Sequence, residues 1–401
     1  MPSTPPPGDP APPDGSLPPE ALESLGRNGF GVYVHIPYCA HRCGYCDFNT
    51  YVDDTGAAAS YADAAIAEIR LAARVLQSPP PAGTVFFGGG TPTLLPPADL
   101  ARILAAIGNE IGLAPGAEVT TEANPETLSP AVLDALRESG FTRLSLGMQS
   151  ASPHVLATLE RRHTPGRATA CVAEARAAGF GDVSLDLIYG TPGETDDDWR
   201  ATLDAALAAG PDHVSAYSLI VEPGTRLAAQ VQRGELPMTD DDVHADRYEI
   251  ADEALRANGF GWYEISNWAR GDAHRCRHNE LYWRGGDWWG VGPGAHSHVG
   301  GTRWWNARLP RDHAAALAAG RSPAEARETL DEEARRVERL LLGVRLAGGH
   351  PATDLDAAGH AAAAVLAADG LLDQEALANG TLLLTDRARL LADAVILRLI
   401  A

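Results

Sequence analysis

Strand-like and helix-like segments alternate regularly between residues 31 and 220 of this 401-residue chain. The pattern favours parallel strands joined by crossover helices, so we predict an α/β fold, a partial (β/α)6 barrel of the TIM type. An open doubly wound sheet is the alternative. The strand-like runs are Gly31–Ile36, Thr84–Phe87, Glu118–Glu122, Arg143–Gly147, Asp182–Ile188 and His213–Ile220. The helical patterns are Tyr61–Leu76, Pro97–Ile111, Pro130–Ser139, Gly166–Ala178 and Asp196–Ala209.

Glycine and polar residues follow several of these runs, at the edge where barrel enzymes build their sites. The second run ends in Gly88-Gly-Gly-Thr-Pro92, which lacks the Gly-Lys-Ser/Thr ending of a Walker loop. Glu122, Gln149 and Asp186 lie at or near the ends of the next three runs. A carboxylate in an apolar strand needs hydrogen-bond donors, which a ribose diol supplies, although pairing with arginine or helix capping are alternatives. This placement favours a barrel over an open sheet.

Three of the five cysteines, Cys39, Cys43 and Cys46, stand in a C-x3-C-x2-C spacing directly after the first strand-like run. Three thiolates can hold three irons of a cubane cluster and leave the fourth iron without a protein ligand. A structural zinc site normally takes four ligands. The spacing therefore predicts an iron–sulfur cluster with one exchangeable position, with zinc, a disulfide or unligated thiols as alternatives.

The formal net charge of −21 argues against general binding to nucleic acid or to anionic membrane surfaces. Clustered cysteines without a signal segment indicate a reducing compartment, and we expect a cytoplasmic protein. Every long apolar run is interrupted well before the length of a membrane span, so any membrane contact is expected to be peripheral. Residues 1–28 are rich in proline and are predicted to form a disordered tail.

The barrel is predicted to span residues 29–235, and residues 236–310 are predicted to extend it. Thr239–Asp242 is typical of a helix start, and the helix is expected to end near Ala257. Trp262–Ser266 predicts a short strand that pairs at the open edge of the barrel. The rest of the extension is expected to be an irregular, glycine-rich loop.

That loop, from Asp272 to Trp305, is rich in histidine and tryptophan. Tryptophans that merely anchor an irregular loop are one explanation. Imidazoles and aromatic rings, with Arg275, Arg277 and Arg284 around them, also suit a flat apolar ligand with carboxylates at its edge, such as a tetrapyrrole.

Residues 311–401 are predicted to form a C-terminal helical, winged-helix-like domain. Its features are a helical pattern at Glu333–Gly343, a hairpin that turns at Asn379-Gly380, and a last helix from Thr385 to Leu399. Its helices lack a strong basic face, so a lid or docking role is favoured over DNA binding.

The cysteine spacing resembles that of the radical S-adenosylmethionine superfamily. The resemblance implies a 4Fe-4S cluster on Cys39, Cys43 and Cys46, with S-adenosylmethionine chelating the open iron. It also implies a set of S-adenosylmethionine contacts around the barrel rim. The implied contacts are Tyr33, Tyr45, Gly89, Gly90, Thr91, Glu122, Gln149, Arg161, Asp186 and Ile220.

Within the superfamily, the chain resembles the oxygen-independent coproporphyrinogen III oxidase-like proteins. The oxidases carry a further cysteine two residues after the third, where this chain has Phe48, and an ordered segment before the barrel. The residues His278, Asn279, Tyr282 and Trp283 look like the H-N-x-x-Y-W motif of the HemW heme chaperones, where it is associated with heme binding. This branch implies heme as a ligand.

The expected function is therefore that of a heme chaperone, with heme-acceptor proteins as partners and membrane respiratory enzymes as candidate acceptors. The alternative is an oxygen-independent coproporphyrinogen III oxidase, in which a deoxyadenosyl radical leads to two decarboxylations. A non-enzymatic iron–sulfur interaction protein is the third possibility. It leaves the glycine run and the ribose contacts without a purpose.

Overall fold

The computed structural model describes residues 8–52 and 58–401, in which strands and helices alternate along the barrel segment. The strands, in chain order, are β1 (Asp9–Pro10), β2 (Phe30–Ile36), β3 (Tyr38–Cys39), β4 (Tyr51–Val52), β5 (Ala82–Gly89), β6 (Leu113–Ala123), β7 (Arg143–Gln149), β8 (Asp182–Tyr189), β9 (His213–Ser218), β10 (Gly261–Glu264), β11 (Asn267–Ala269), β12 (Asp287–Val291), β13 (His296–Val299), β14 (Thr302–Asn306), β15 (Ala324–Thr329), β16 (His350–Pro351) and β17 (Thr381–Leu382). The helices are α1 (Pro19–Ser24), α2 (Ala58–Leu76), α3 (Pro97–Glu110), α4 (Pro130–Glu138), α5 (Pro153–Thr158), α6 (Arg167–Ala177), α7 (Asp196–Ala208), α8 (Arg226–Gln232), α9 (Asp241–Ala257), α10 (Arg277–Trp283), α11 (Pro310–Ala318), α12 (Glu332–Gly343), α13 (Ala357–Ala368), α14 (Gln374–Ala378) and α15 (Ala392–Leu399).

Six strands, β2, β5, β6, β7, β8 and β9, lie side by side in that order and run parallel. Helices connect successive strands, as the alternating pattern predicts. Among the described strands, β1 and β10 form the two edges of the sheet, so the barrel is not closed. The predicted partial (β/α)6 barrel is confirmed, and the carboxyl ends of its strands meet at one rim.

Helix starts are encoded locally. The Thr195 side chain accepts from the Asp198 amide and the Asp198 carboxylate accepts from the Thr195 amide, which forms a capping box at α7. Proline occupies the first turn of α3 and α4, where its missing N–H costs nothing. The core between helices and sheet contains fully buried Trp199 and Phe141. Each such side chain contributes roughly 1.5–3 kcal/mol by burial.

The histidine- and tryptophan-rich segment is not an irregular loop, so that prediction is wrong. It forms α10 and then β12, which pairs parallel with β2, followed by the antiparallel strands β13 and β14. Trp289 of β12 and Trp304 of β14, two strands with β13 between them, meet edge to face with ring centroids 4.8 Å apart. The strands are short and separated by glycines, so their alternation of buried and exposed residues was not recognised in the sequence. At the opposite edge, β11 pairs with β9 and β10 pairs with β11, so the predicted edge pairing near Trp262 is present.

The N-terminal segment is ordered over residues 8–28, which corrects the predicted disordered tail for those residues; residues 1–7 lie outside the described residues. Asp9 and Pro10 pair with β15, and Ala21 of α1 is 1% exposed. The Asp287 carboxylate accepts from the Gly26 amide at 2.7 Å. Proline is compatible with an edge strand and with a helix start, so a proline-rich composition does not by itself exclude order.

The C-terminal unit has its own hydrophobic core, which includes Leu340, Leu366 and Val395. It begins near residue 331 rather than 311, because β15 is a strand of the large sheet. Its strands β16 and β17 pair with each other. The predicted hairpin turn at Asn379-Gly380 is instead the end of α14, and Gly380 has a φ of 80°.

Removal of residues 1–28 is expected to lower the thermal midpoint by about 2 °C or more, because it uncovers β15 and the surface under Ala21. The matched reference is a chain that lacks only residues 1–7, because it keeps every described residue of the segment. Differential scanning calorimetry measures both. Equal midpoints for the two truncations would contradict an ordered, packed segment.

Candidate functional site

A cavity of about 800 Å³ opens at the carboxyl ends of the parallel strands. Its size lies in the range typical of small-molecule sites. It brings together all the predicted site residues except Trp283. Those residues are Tyr33, Cys39, Cys43, Tyr45, Cys46, Gly89, Gly90, Thr91, Glu122, Gln149, Arg161, Asp186, Ile220, His278, Asn279 and Tyr282.

The cysteine loop is fastened to the barrel by main-chain hydrogen bonds. The Gly44 amide donates to the Leu159 carbonyl at 3.2 Å, and the Gly44 carbonyl accepts from the Leu227 amide at 2.9 Å. The Thr91 hydroxyl lies 3.9 Å from the Cys39 sulfur. Burial raises the pKa of the Cys39 thiol to about 11. A cation must therefore stabilise the thiolate, and ligated iron does so directly.

The donor set fits an iron–sulfur cluster better than a single ion. All three thiols are free of disulfides. In the described part of the chain, the three sulfur atoms do not all lie within 4.8 Å of one another. Sulfurs on one zinc ion lie closer than about 4 Å, because each Zn–S bond is about 2.3 Å. Three more widely spaced thiols suit the corners of a cubane cluster and leave one iron open.

The glycine run lies directly against the end of the first strand and the cysteine loop. The Gly90 amide donates to the Ile36 carbonyl at 2.7 Å, and the Thr91 amide donates to the Tyr38 carbonyl at 2.8 Å. A Cβ atom on Gly90 would lie 2.5 Å from the Tyr38 carbonyl oxygen, and Gly89 has a φ of 107°. Only glycine permits this close approach of two backbones.

Two carboxylates face each other across the cavity wall. Glu122 accepts from the Gly89 amide at 3.1 Å, and Asp186 accepts from the Ser145 hydroxyl at 2.9 Å. Burial, and then the charge of Asp186, raises the pKa of Glu122 to about 8. Burial also raises the pKa of Asp186. Carboxyl groups shielded from bulk water in this way are well placed to bind ligand hydroxyls.

Sequence reasoning missed the polar layer beneath these carboxylates. Buried Ser145 and Arg143 precede Gly147 on β7 at two-residue intervals, and the Nε and Nη2 atoms of Arg143 have no hydrogen-bond partner among the described residues. Buried Ser184 likewise precedes Asp186 by two residues. The sequence signal for this layer was a polar residue at every second position of each strand, since alternate strand residues face the same side of the sheet.

Arg161 crosses the cavity beside the cysteine loop. Its Nη2 donates to the Gly147 carbonyl at 2.9 Å, and its Nη1 lies 3.9 Å from the Cys43 sulfur. It forms no ion pair with an acidic side chain within residues 8–52 and 58–401. Gln149, with a φ of 65°, sits at a register shift between β7 and β8 that turns it toward the same cavity. The guanidinium is free to bind a ligand carboxylate.

His278 lies at the base of the cavity with both ring nitrogens engaged. Nδ1 is 2.8 Å from the Thr84 hydroxyl and Nε2 is 2.8 Å from the Tyr282 hydroxyl. Burial lowers the pKa of His278 to about 3. Its ring also stacks on Phe86, with centroids 5.2 Å apart. The imidazole is therefore a structural element in this arrangement, and Trp283 does not line the cavity.

The predicted positive patch around His278 is neutralised by acidic partners. Arg275 and Arg284 both pair with Glu280. Arg277 lies 3.9 Å from Glu118, whose carboxylate also accepts from the Arg277 amide at 2.9 Å. These guanidinium groups hold α10 in place.

A second cavity, of about 420 Å³, shares Tyr33, Gly89 and Glu122 with the first. Its other walls carry the aromatic rings of Trp288 and Trp305 together with polar side chains, among them Asn306 and Arg308. The sequence had suggested such rings only as loop anchors or as a general tetrapyrrole surface. The structure places them beside the cysteine loop.

The barrel, the three-cysteine loop and the glycine run define a protein of the radical S-adenosylmethionine class. Residues 33–206 match the model of the radical SAM superfamily. A Mycobacterium tuberculosis protein named heme chaperone HemW is 52% identical over 94% of this chain and 96% of its own length. The Bacillus subtilis heme chaperone HemW is 35% identical over 79% of this chain and 84% of its own. The chain belongs to the HemW family, whose superfamily implies a 4Fe-4S cluster and S-adenosylmethionine.

The Escherichia coli coproporphyrinogen III oxidase HemN, a radical SAM enzyme, has the same fold. It superposes with a TM-score of 0.82 at 24% identity, over 95% of this chain and 92% of its own. This similarity extends beyond the barrel to the C-terminal domain.

Replacement of Cys39, Cys43 and Cys46 together by alanine is expected to abolish iron binding after anaerobic reconstitution, because all the thiolates of the loop are lost. The wild type should bind about four irons per chain. Cys171→Ala is the matched control, since Cys171 is buried and contacts the Pro125 carbonyl away from the loop. Colorimetric iron analysis measures the content. Four irons in the triple variant would contradict the assignment.

Glu122→Gln is expected to stabilise the ligand-free protein at pH 8 and above. The unfolded carboxyl titrates near 4.5 and the folded one near 8, so stability contributed by the neutral form is lost as pH rises through that interval. One pKa unit corresponds to about 1.4 kcal/mol, and the gain should exceed that value. Urea unfolding between pH 5 and 9 measures it, with exposed Glu253→Gln as the control. A gain that does not grow with pH would contradict the raised pKa.

Proposed function

We propose that the chain is a heme chaperone that binds a 4Fe-4S cluster, S-adenosylmethionine and heme, and that it delivers heme to acceptor proteins. The observation that carries this proposal is the pair of joined cavities at the barrel rim. One has polar walls and the three thiols, which suits the cluster and a nucleoside. The other is walled by aromatic rings, which suits a flat apolar ligand. The names of the relatives support heme as that ligand.

In this proposal, different residues of the first cavity bind different parts of the cluster and of S-adenosylmethionine. Cys39, Cys43 and Cys46 hold three irons of the cluster. Arg161 binds the carboxylate of S-adenosylmethionine, and Glu122 and Asp186 accept from its hydroxyl and amino groups. When bound, the cluster supplies one-electron reduction of S-adenosylmethionine.

Apolar residues complete the proposed nucleoside site. Ile220 is 67% exposed, and Tyr45 packs against a small apolar cluster that includes Leu219. Together they offer a surface for the adenine ring. Binding would cover Ile220, which explains why a large apolar side chain is left at this rim.

The alternative function is that of an oxygen-independent coproporphyrinogen III oxidase. The oxidases carry a thiol where this chain has Phe48, which is 48% exposed and lines both cavities. A second argument from sequence, the lack of an ordered segment before the barrel, does not hold, because residues 8–28 are ordered. The distinction therefore depends on Phe48, on the H-N-x-x-Y-W motif and on the names of the relatives.

Delivery requires acceptors, and we include membrane respiratory enzymes among them, with the protein acting from the cytoplasm. Across the described residues, every helix is too short or too polar to cross a bilayer. Contact with a membrane-bound acceptor would then be peripheral. The net charge of −21 favours contact with the acceptor protein rather than with anionic lipid.

Titration of the reconstituted protein with ferric heme is expected to give saturable absorbance changes at about one heme per chain, because one cavity presents the Trp288 and Trp305 rings as a stacking surface. S-adenosylmethionine should shift the EPR signal of the reduced cluster, because it binds the open iron. Coproporphyrinogen III should be left unconverted. Robust formation of protoporphyrinogen IX would reject the chaperone in favour of the oxidase. The absence of saturable heme binding would reject the chaperone without supporting the oxidase.

A further inference from the structure

Four histidines lie in the segment that surrounds the second cavity, and three are already engaged. His274 Nδ1 contacts the Asp182 carboxylate at 2.5 Å. Both nitrogens of His278 bind hydroxyls, as described above. His298 Nδ1 lies 3.0 Å from the Gly286 carbonyl, and its Nε2 accepts from the Gly301 amide at 3.2 Å. His278 and His298 cannot ligate a metal without losing a hydrogen bond, and His274 does not line the second cavity.

The fourth, His296, is different. It begins β13 and its side chain lines the second cavity. In the structure as described, its ring nitrogens make no hydrogen bond. The ring stacks on Trp305 with centroids 5.9 Å apart, and the Trp288 indole N–H donates to the His296 carbonyl at 2.9 Å. The imidazole is thus held in place by packing while its nitrogens stay available.

The remaining histidine of this cavity, His35, is not available. Its Nδ1 lies 2.9 Å from the Tyr33 hydroxyl and its Nε2 lies 3.0 Å from the Asn49 carbonyl. Burial lowers the pKa of His35 to about 4, and burial also lowers the pKa of His296. Both imidazoles are therefore neutral near pH 7, which is the form that binds a metal. Of the two described histidines that line this cavity, His296 is the one that combines the neutral form with nitrogens that have no hydrogen bond to a described residue.

The walls around His296 suit a planar macrocycle. Trp288 and Trp305 present indole rings, and Phe48 closes the side toward the cysteine loop. Arg308 lines the same cavity, so a cation is present beside the aromatic rings, together with the polar side chains Asp47, Asn49, Glu122 and Asn306. Flat apolar rings with one cationic group match a porphyrin whose propionates lie at one edge.

We propose that His296 is the axial ligand of the iron of heme bound in the second cavity. The macrocycle lies between Phe48 and the two indoles, and Arg308 faces its propionate edge. This inference rests on the proposed function, because it names the residue through which the carried heme is held. It gives His278 of the H-N-x-x-Y-W motif a supporting role: His278 orients Tyr282, which lines both cavities.

The test is a ferric heme titration of the cluster-loaded full chain with His296→Ala, followed by absorbance and EPR. Loss of the supporting partners of a metal ligand alone weakens metal affinity roughly 10- to 100-fold, so loss of the ligand should weaken heme binding by at least about tenfold. The absorbance and EPR features of histidine-ligated ferric heme should disappear and should return on addition of imidazole. His296→Met, which preserves bulk and offers a thioether, should shift the spectrum instead of abolishing it.

His274→Ala is the matched control, because His274 belongs to the same segment but contacts Asp182, the first residue of β8, at the far end of the barrel. It should leave the heme spectrum unchanged. A wild-type spectrum and affinity in both His296 variants would overturn the assignment, as would loss of the signal in His278→Ala alone. Failure of the wild type to bind heme saturably would instead reject the proposed function itself.

Discussion

The site depends on the contact between the glycine run and the end of the first barrel strand. Main-chain hydrogen bonds from Gly90 and Thr91 to the Ile36 and Tyr38 carbonyls bring two backbones together with no room for a side chain. Cys39 follows Tyr38 directly. The cluster loop is therefore positioned relative to the barrel by backbone geometry, and a cofactor on the open iron necessarily lies over the strand ends.

A second constraint is electrostatic. Glu122 and Asp186 share a cavity wall that is shielded from water, and few donors reach them: the Gly89 amide for one, and serine hydroxyls for the other. Both carboxyl groups line the cavity and are shielded from bulk water, so they favour ligand hydroxyl and amino groups as partners. The Arg161 guanidinium favours a ligand carboxylate instead. One cofactor with both kinds of group relieves all three side chains.

Much of this was predictable from sequence, for a local reason. Strand and helix periods, proline at helix starts and glycine after strands are written in neighbouring residues, so the six β/α units and the rim residues were found. The errors arose where distant segments cover one another. Residues 8–28 are ordered because β15 offers an edge and Asp287 offers an acceptor, and neither partner is visible in a proline-rich stretch.

The spacing of Cys39, Cys43 and Cys46 sufficed to indicate a cluster with an open iron, since ligand count and loop length are properties of the chain itself. Spacing could not say which histidine is available to heme. His278 stands in the recognisable motif, yet the fold occupies both its nitrogens with Thr84 and Tyr282. His296 carries no motif, and its ring nitrogens make no hydrogen bond to residues 8–52 or 58–401 at the cavity that it lines. The distinction arises from hydrogen bonds between residues far apart in sequence, which form only when the sheet is assembled.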